Sequence, residues 1–244
     1  AANQLGIPVA VVGARMTPQA SALWRLSGSS GRALLQTVRA WACTDEQTRT
    51  RLAVLGLEEQ SLDQAGWIKW PSDVRTDSPT ESKPLKDSRE MILGNLHPGE
   101  LTMLSEILRG TVLDPAAIRW RAVLRHAHAE PRIRKEAQRL GMEQTIEIDG
   151  RFGVLDSNYA QASAIFVGGG AKGRGVHDLL APLSFGRRPL CFLQRGDPGS
   201  VGQSLAAEGW TIPLDGPFGV DSETAARRAL EPLPGSWEDL LLRY

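Results

Sequence analysis

A glycine-rich segment between a predicted buried strand and a predicted helix is the clearest chemical signal in this sequence. The strand Ala164–Val167 runs directly into three glycines at positions 168–170, and we expect His177 and Asp178 to open the helix that follows. Glycines allow close approach of the backbone, and a helix N-terminus offers free N–H groups, so such a segment suits a phosphate. The spacing fits neither the Walker pattern nor G-x-G-x-x-G. A purely structural strand-to-helix connection remains the alternative.

Histidines and one arginine follow the ends of several predicted strands. His97, His126 and His177 each come just after a strand, and Arg125 precedes His126. In a doubly wound sheet these positions face one crevice. His126 and His128 have no Cys or carboxylate nearby at ligand spacing, so we expect no metal site. Either these are loop histidines without a special duty, or Arg125 and some of them contact an anion, which a guanidinium binds through two parallel hydrogen bonds.

Alternating strands and helices along the sequence would position these residues. The predicted strands are residues 7–12, 40–43, 67–70, 91–96, 121–124, 145–148, 164–167, 189–193 and 210–214. The apolar run at 7–12 is of the type buried on both faces of a sheet. Thr44 is the predicted N-cap of one intervening helix, and Pro98 the first residue of another. The alternation predicts an α/β fold with parallel strands and ligand sites at their carboxyl ends.

A polar segment bracketed by prolines divides this alternation into two series. Residues 71–84 (PSDVRTDSPTESKP) are aperiodic and form the best linker candidate. We therefore predict the C-terminal part of a Rossmann-like domain over residues 1–70. We predict a doubly wound Rossmann-type domain over residues 85–244, with one parallel sheet from about 86 to about 225 and the last helices packing back on the first domain.

Composition narrows the class of protein. The 28 basic and 28 acidic residues balance, which gives no support for a nucleic-acid partner. Cys43 and Cys191 lie in apolar, strand-like segments, so we expect free thiols in a reducing compartment. No apolar run approaches the ~20 residues of a membrane span. The chain begins directly before a strand and without methionine, which indicates that further sequence lies upstream.

Short motifs in conserved order resemble those of the bacterial 3-deoxy-D-manno-octulosonic acid (Kdo) transferases, glycosyltransferases with two Rossmann domains (the GT-B type). The family's FVGG is similar to residues 166–169, and its G-G-H-N-x-x-E-P to residues 175–182 (GVHDLLAP). Further matches are residues 6–17 (GIPVAVVGARMT), 66–69 (GWIK), 96–100 (LHPGE), 125–126 (RH) and 153–155 (GVL). These matches keep their order over nearly the whole chain, which makes chance an unlikely cause.

The resemblance implies transfer of Kdo from CMP-Kdo to a lipid A precursor, without a metal or cofactor. The partners would be a CMP-sugar and the lipid acceptor, met in the cytoplasm or, through peripheral contact, at the cytoplasmic face of the inner membrane. The matched motifs assign donor binding to Arg125, Gly153, Val154, Leu155, Asp178, Leu179, Leu180 and Ala181. Lys69 would stabilise charge on the departing phosphate. Further candidates for the cleft are His97, His126, Gly169, Gly170 and His177.

Three departures from the family pattern bear on activity. The family's general-base glutamate falls before Ala1, so we expect this chain to lack the residue that activates the acceptor hydroxyl. Ala181 stands where the family has the glutamate of N-x-x-E, and alanine accepts no hydrogen bond from a sugar. Asp178 replaces the asparagine and places a negative charge near a phosphate. A non-catalytic module that binds a nucleotide-sugar or lipid-saccharide is therefore the alternative to a transferase.

Overall fold

The computed structural model describes residues 5–65, 90–151, 153–171, 176–193, 201–215, 219–236 and 240. The chain divides into two compact units. The first holds residues 5–65, and the second holds the described residues from 90 to 240 apart from Val201. The predicted linker 71–84, the predicted strand 67–70 and Lys69 lie outside the described residues.

The first unit is built on a parallel sheet with the strand order β1-β2-β3. Its elements are β1 (Ala10–Ala14), α1 (Pro18–Leu26), α2 (Gly28–Leu35), β2 (Ala40–Cys43), α3 (Glu46–Val54) and β3 (Leu62–Gln64). Thr17 caps α1 by accepting a hydrogen bond from Ala20 N, and Pro18 supplies the fixed φ that suits a first helical turn. Cys43 and Leu52 are fully buried in the core of this unit.

Two sequence predictions in this unit are wrong in detail. The first strand begins at Ala10, and it is not buried on both faces, because Val12 is 65% exposed while Val11 packs toward the core. Helix α3 is capped by Asp45, whose carboxylate accepts from the backbone N–H three residues on, at 2.6 Å. The Thr44 hydroxyl instead lies within hydrogen-bond distance of the Asp45 carboxylate, at 2.9 Å, and of Ala14 O in β1, at 3.1 Å.

The second unit contains six parallel strands with helices between them. Its strands are β4 (Glu90–Leu96), β5 (Arg119–Leu124), β6 (Ile146–Asp149), β7 (Ala164–Val167), β8 (Pro189–Cys191) and β9 (Ile212–Pro213). Its helices are α4 (Glu100–Leu108), α5 (Glu130–Arg139), α6 (Leu155–Gln161), α7 (Leu180–Ser184), α8 (Val201–Ala207) and α9 (Ser222–Leu230). Within the described residues, no helix combines the length and apolar character needed to cross a bilayer.

The strand order of this sheet is β6-β5-β4-β7-β8-β9. Counted from β4, this is the order 3-2-1-4-5-6 of a doubly wound Rossmann fold, so the predicted α/β parallel sheet is confirmed. The order reverses between β4 and β7, and the crossovers leave β4 and β7 toward opposite sides. A crevice therefore opens at the carboxyl ends of these two strands, which we call the switch point.

Two helices of this unit begin later than predicted. Helix α4 starts at Glu100 after Gly99, which has a φ of 93°, so Pro98 lies in the preceding turn. Glu136 of α5 accepts hydrogen bonds from the backbone N–H groups of Gly99 and Thr102 and thereby caps α4 from outside the helix. The helix expected to open at His177 and Asp178 is α7, which begins two residues after Asp178.

Candidate functional site

The carboxyl end of β4 is irregular, and this irregularity directs the chain that carries His97. The pairing of β4 with β5 shifts between Gly94 and Leu96, where Asn95 has a φ of 54°. A left-handed backbone is uncommon outside glycine, and a bulge re-aims the residues that follow it. His97 comes directly after this bulge, at the switch point, and is 8% exposed.

The buried carboxylate of Glu100 ties the end of β4 to the glycine-rich loop after β7. One oxygen accepts from His97 N at 3.0 Å, and the other accepts from Gly169 N at 2.8 Å and Ala171 N at 3.3 Å. Glu100 is fully buried, and a side chain at Gly168 would collide with it. These loop N–H groups, which the sequence suggested for a phosphate, are therefore bound to a carboxylate of the protein itself.

His97 and His177 form a hydrogen-bonded pair of imidazoles. Their Nε2 atoms lie 2.8 Å apart, and the rings stack with an interplanar angle of 12°. The backbone N–H of His177 donates to Gly168 O at 3.1 Å, which fixes the chain next to the glycine loop. Because two ring nitrogens face each other, one must carry the proton and the other must accept it.

A second pair of imidazoles lies beside the first. His126 and His128 stack with their ring centroids 5.2 Å apart, and the His126 ring approaches His97 edge-on at 6.5 Å. Together with Arg132 and Gly169, these histidines line a cleft at the switch point. Three loops, each following a strand of the sheet, thus bring histidines to one place.

Positive charge dominates around His177. Burial, and then the charges of Arg125, His97 and His126, lower the pKa of His177 to about 4. Arg125 is exposed, and it forms no ion pair with any of the described residues. His177 is therefore neutral at pH 7, while the guanidinium beside it is available to an anion.

The turn before α6 contributes a side chain to the neighbourhood of β4. Gly153 has a φ of 81° and is exposed, and Val154 lies just before α6. Leu155 and Tyr159 pack against Gly94, where an added Cβ would lie only 1.9 Å from the Tyr159 hydroxyl oxygen. That hydroxyl is buried without a hydrogen-bond partner in the described part of the chain, and burial raises the pKa of Tyr159.

The segment from Asp178 to Ala181 differs from a simple ligand-binding turn. Asp178 is exposed and its Oδ1 accepts from Leu180 N at 2.9 Å. The side chains of Leu179 and Leu180 are buried, at 5% and 3% exposure, so only their main-chain atoms could contact a ligand. Ala181 lies inside α7 and is half-buried.

The structure thus gathers some of the predicted site residues and gives one of them a packing role. It brings together Arg125, His97, His126, His177 and Gly169. Gly170 is buried against Phe192, where a Cβ would lie 1.6 Å from the carbonyl oxygen, so its role is packing.

Glu100, Asn95 and Tyr159 were not singled out from the sequence. The acid in LHPGE and the Gly-Asn pair at the end of β4 were the available signals, but the loop that Glu100 binds lies 69 residues away.

This arrangement is suited to binding an anion. It offers a guanidinium and imidazole N–H groups around a cleft, at the edge of the sheet where doubly wound folds bind nucleotides. Among the residues that the structure describes, no group of three or more His, Cys, Asp or Glu side chains could hold a metal ion.

Comparisons with known proteins agree with this architecture. Residues 1–72 match a family model described as 3-deoxy-D-manno-octulosonic-acid transferase (kdotransferase). A 3-deoxy-D-manno-octulosonic acid transferase of Chlamydophila psittaci is 23% identical over 209 residues, covering 78% of this chain and 48% of the relative. The chain therefore spans about half the length of that relative.

Solved structures share the fold. UDP-GlcNAc 2-epimerase of Methanocaldococcus jannaschii matches with a TM-score of 0.57 and 15% identity, over 96% of this chain and 66% of the epimerase. Anabaena Alr3699/HepE, solved with UDP and glucose, matches with a TM-score of 0.58 and 11% identity, over 94% of this chain and 63% of HepE. At such identities the likeness shows the fold alone, which is GT-B-like. The family model over residues 1–72 and the Chlamydophila relative confirm the resemblance that the motifs indicate: this chain is similar to the bacterial Kdo transferases.

Proposed function

We propose that this chain is the donor-binding portion of a Kdo-transferase-like glycosyltransferase, which transfers Kdo from CMP-Kdo to a lipid A precursor in lipopolysaccharide biosynthesis. The observation that carries the proposal is the convergence of Arg125, His126, His97 and His177 at the switch point of a 3-2-1-4-5-6 sheet. A CMP-sugar is linked through a phosphodiester anion, and this cleft presents cations where doubly wound folds hold such groups.

Within this proposal, the two parts of the chain have different tasks. Residues 1–70 would belong to the acceptor-side domain, residues 71–84 would link the domains, and residues 85–244 would bind the donor. The match of residues 1–72 to the family model supports the first assignment. Lys69, near the end of the first part in sequence, is proposed to stabilise the charge of the leaving CMP. Gly153 to Leu155 and Asp178 are proposed to contact the nucleotide. The reaction would take place at the cytoplasmic face of the inner membrane, where a lipid acceptor is accessible to a peripheral enzyme.

Calorimetric titration with CMP, CMP-Kdo and other nucleotides tests the donor site. Arg125→Ala should weaken CMP binding by about 1.5–3 kcal/mol, the range for a hydrogen bond to a charged group. Arg119→Ala is the matched control, because Arg119 is also exposed but begins β5 at the opposite edge of the sheet. Unchanged CMP binding in Arg125→Ala, or an equal loss in Arg119→Ala, would contradict the assignment.

A non-catalytic nucleotide-sugar or lipid-saccharide binding module is the second candidate, and Ala181 favours it. A methyl group inside α7 cannot accept a hydrogen bond from the donor sugar. The two functions separate in a radiolabelled transfer assay with CMP-Kdo and a tetraacylated lipid A precursor, run on this chain and on the full product of its gene. Transfer that depends on Arg125 supports the enzyme, whereas CMP binding without transfer in both samples supports the module.

A further inference from the structure

Three backbone N–H groups at the switch point, those of His97, Gly169 and Ala171, are already occupied. Glu100 binds the N–H groups of His97, Gly169 and Ala171 with both carboxylate oxygens, and it is fully buried. An anion placed against these groups would meet the carboxylate rather than free donors. An anion that lies against these three N–H groups therefore depends on the side chains around them.

The side chains that remain are mostly basic or neutral. Several charged or titratable groups face or neighbour His177. They come from the loops after β4 and β5, from helix α5 and from the loop that carries His177 itself. They are His97 and Glu100, Arg125, His126 and His128, Arg132, and Asp178. Glu100 is committed to backbone N–H groups, and Asp178 accepts from Leu180 N. The acidic groups thus have partners of their own, while Arg125 has no ion pair with a described residue.

The hydrogen bond between His97 and His177 limits how many protons the pair can hold. In the neutral pair, one Nε2 donates to the other, and when His177 is the donor its own Nδ1 carries a lone pair. One added proton can occupy that Nδ1 without disturbing the bond, and it gives the pair a positive charge. A second added proton would have to occupy the accepting Nε2, and two N–H groups would then face each other across 2.8 Å. The pair can therefore take up a single proton and keep its geometry.

We propose that the His97–His177 pair and Arg125 form a proton-coupled anion site, which binds the phosphodiester group of the donor with uptake of one proton. This inference rests on the proposed function for the identity of the ligand. The physical reason is that burial, and then the positive charges of Arg125, His97 and His126, oppose protonation of His177 in the free protein, whereas a bound anion supplies negative charge that favours it. The proton then strengthens binding, because imidazolium donates charge-assisted hydrogen bonds.

The expected change of binding affinity with pH follows from the linkage between proton binding and anion binding. Burial and nearby positive charge lower the pKa of His177 to about 4 in the free protein. If a bound anion restores it to the ordinary value of about 6.5, binding should be about tenfold tighter at pH 5.5 than at pH 7.5. The sign is fixed, because the complex binds more protons than the free protein between these two pKa values, so affinity rises as pH falls.

The test is calorimetry with cytidine 5′-methylphosphate and, separately, inorganic sulfate, at pH 5.5 and 7.5 in two buffers of different ionisation enthalpy. Neither probe titrates in this range, whereas the second ionisation of CMP would, near pH 6. We expect about tenfold tighter binding of the phosphodiester at pH 5.5 than at pH 7.5, with about 0.9 proton taken up at pH 5.5 and about 0.1 at pH 7.5. In His177→Gln, the pH dependence and the proton uptake should both disappear.

Equal affinity at both pH values, or no proton uptake, would overturn the inference. So would a dependence that survives in His177→Gln but vanishes in His126→Gln, since the proton would then belong to His126. The His177 ring resonance in the native chain, titrated with and without sulfate, gives the same answer without a variant. Binding of cytidine 5′-methylphosphate without pH dependence would refute the proton coupling and leave the proposed function standing. Proton-coupled sulfate binding without preference for the cytidine ligand would support the proton coupling and contradict the proposed function.

Discussion

Replacing Glu100 by alanine should destabilise the second unit by about 3–5 kcal/mol. The substitution leaves the buried N–H groups of His97, Gly169 and Ala171 without their acceptor. Each orphaned donor costs about 1–3 kcal/mol, and the three share one carboxylate, so the sum is reduced by relaxation. The expected total matches the range for removing one member of a buried charged interaction.

Glu100→Gln should cost less, by an amount that the geometry sets. A glutamine with its oxygen toward the glycine loop keeps the two bonds from Gly169 and Ala171. Its NH₂ group then faces the N–H of His97, so one bond is lost and the cost falls to about 1–3 kcal/mol. Stability should therefore rise from Glu100→Ala to Glu100→Gln to the native chain. This order tests the hydrogen-bond geometry as well as the charge of Glu100.

The change in the free energy of unfolding can be measured in the second unit alone. Urea unfolding is followed by pulsed hydrogen exchange and mass spectrometry on peptides from β4 and β7. A loss of about 4 kcal/mol shifts the midpoint by about 2 M for a slope near 2 kcal/mol/M. Glu106→Ala is the control, since Glu106 is exposed on the same helix and should change stability by no more than about 0.5 kcal/mol. A midpoint for Glu100→Ala equal to that of Glu106→Ala would refute the reasoning.

Further outcomes can be checked independently. The Arg151 side chain and N–H hold the pKa of Asp149 at about 2, so Arg151→Ala should move it part of the way toward 3.8 in a carboxyl ¹³C NMR titration, the backbone bond being retained. Because the folded-state pKa of His177 lies near 4, the native chain should lose stability as pH falls from about 6.5 through 4, and thermal melting of His177→Gln should show a shallower loss. Gly170→Ala should cost about 1–3 kcal/mol or more, because its Cβ would meet a backbone carbonyl at 1.6 Å. Gly150→Ala, whose Cβ would lie 3.3 Å from a flexible carboxylate, should be far milder in the same urea assay.

Periodicity predicted the sheet of the second unit well, because its central strands, such as β7 and β8, are short runs buried on both faces. Strand β7 has the predicted bounds, and all of its residues are buried. Strand β3 (Leu62–Gln64) was missed, since three residues with one apolar side chain form no recognisable pattern. The exposure of Val12 was also not predictable, because an apolar strand looks the same whether one face or both are covered.

The histidine cluster was predictable in outline, since topology alone brings the carboxyl ends of parallel strands together. Its internal structure was not. The bond between His97 and His177 joins residues 80 positions apart, and the bonds of Glu100 span 69 and 71. Local patterns carry no information on such contacts, which packing decides. The left-handed Asn95 is a residue type that tolerates this conformation, but many Gly-Asn pairs adopt other ones.

The occupied glycine loop has a consequence for how this fold can diversify. Amide groups of the main chain are the same for every residue except proline, so a cleft that binds ligands through them resists change by substitution. Here Glu100 engages the N–H groups of Gly169 and Ala171, and exchangeable side chains such as Arg125 and His126 are left to contact a ligand beside this loop. Single substitutions at these positions could alter the charge and shape of the cleft without disturbing the sheet edge. A lineage with this frame can therefore explore new ligands at little cost in stability.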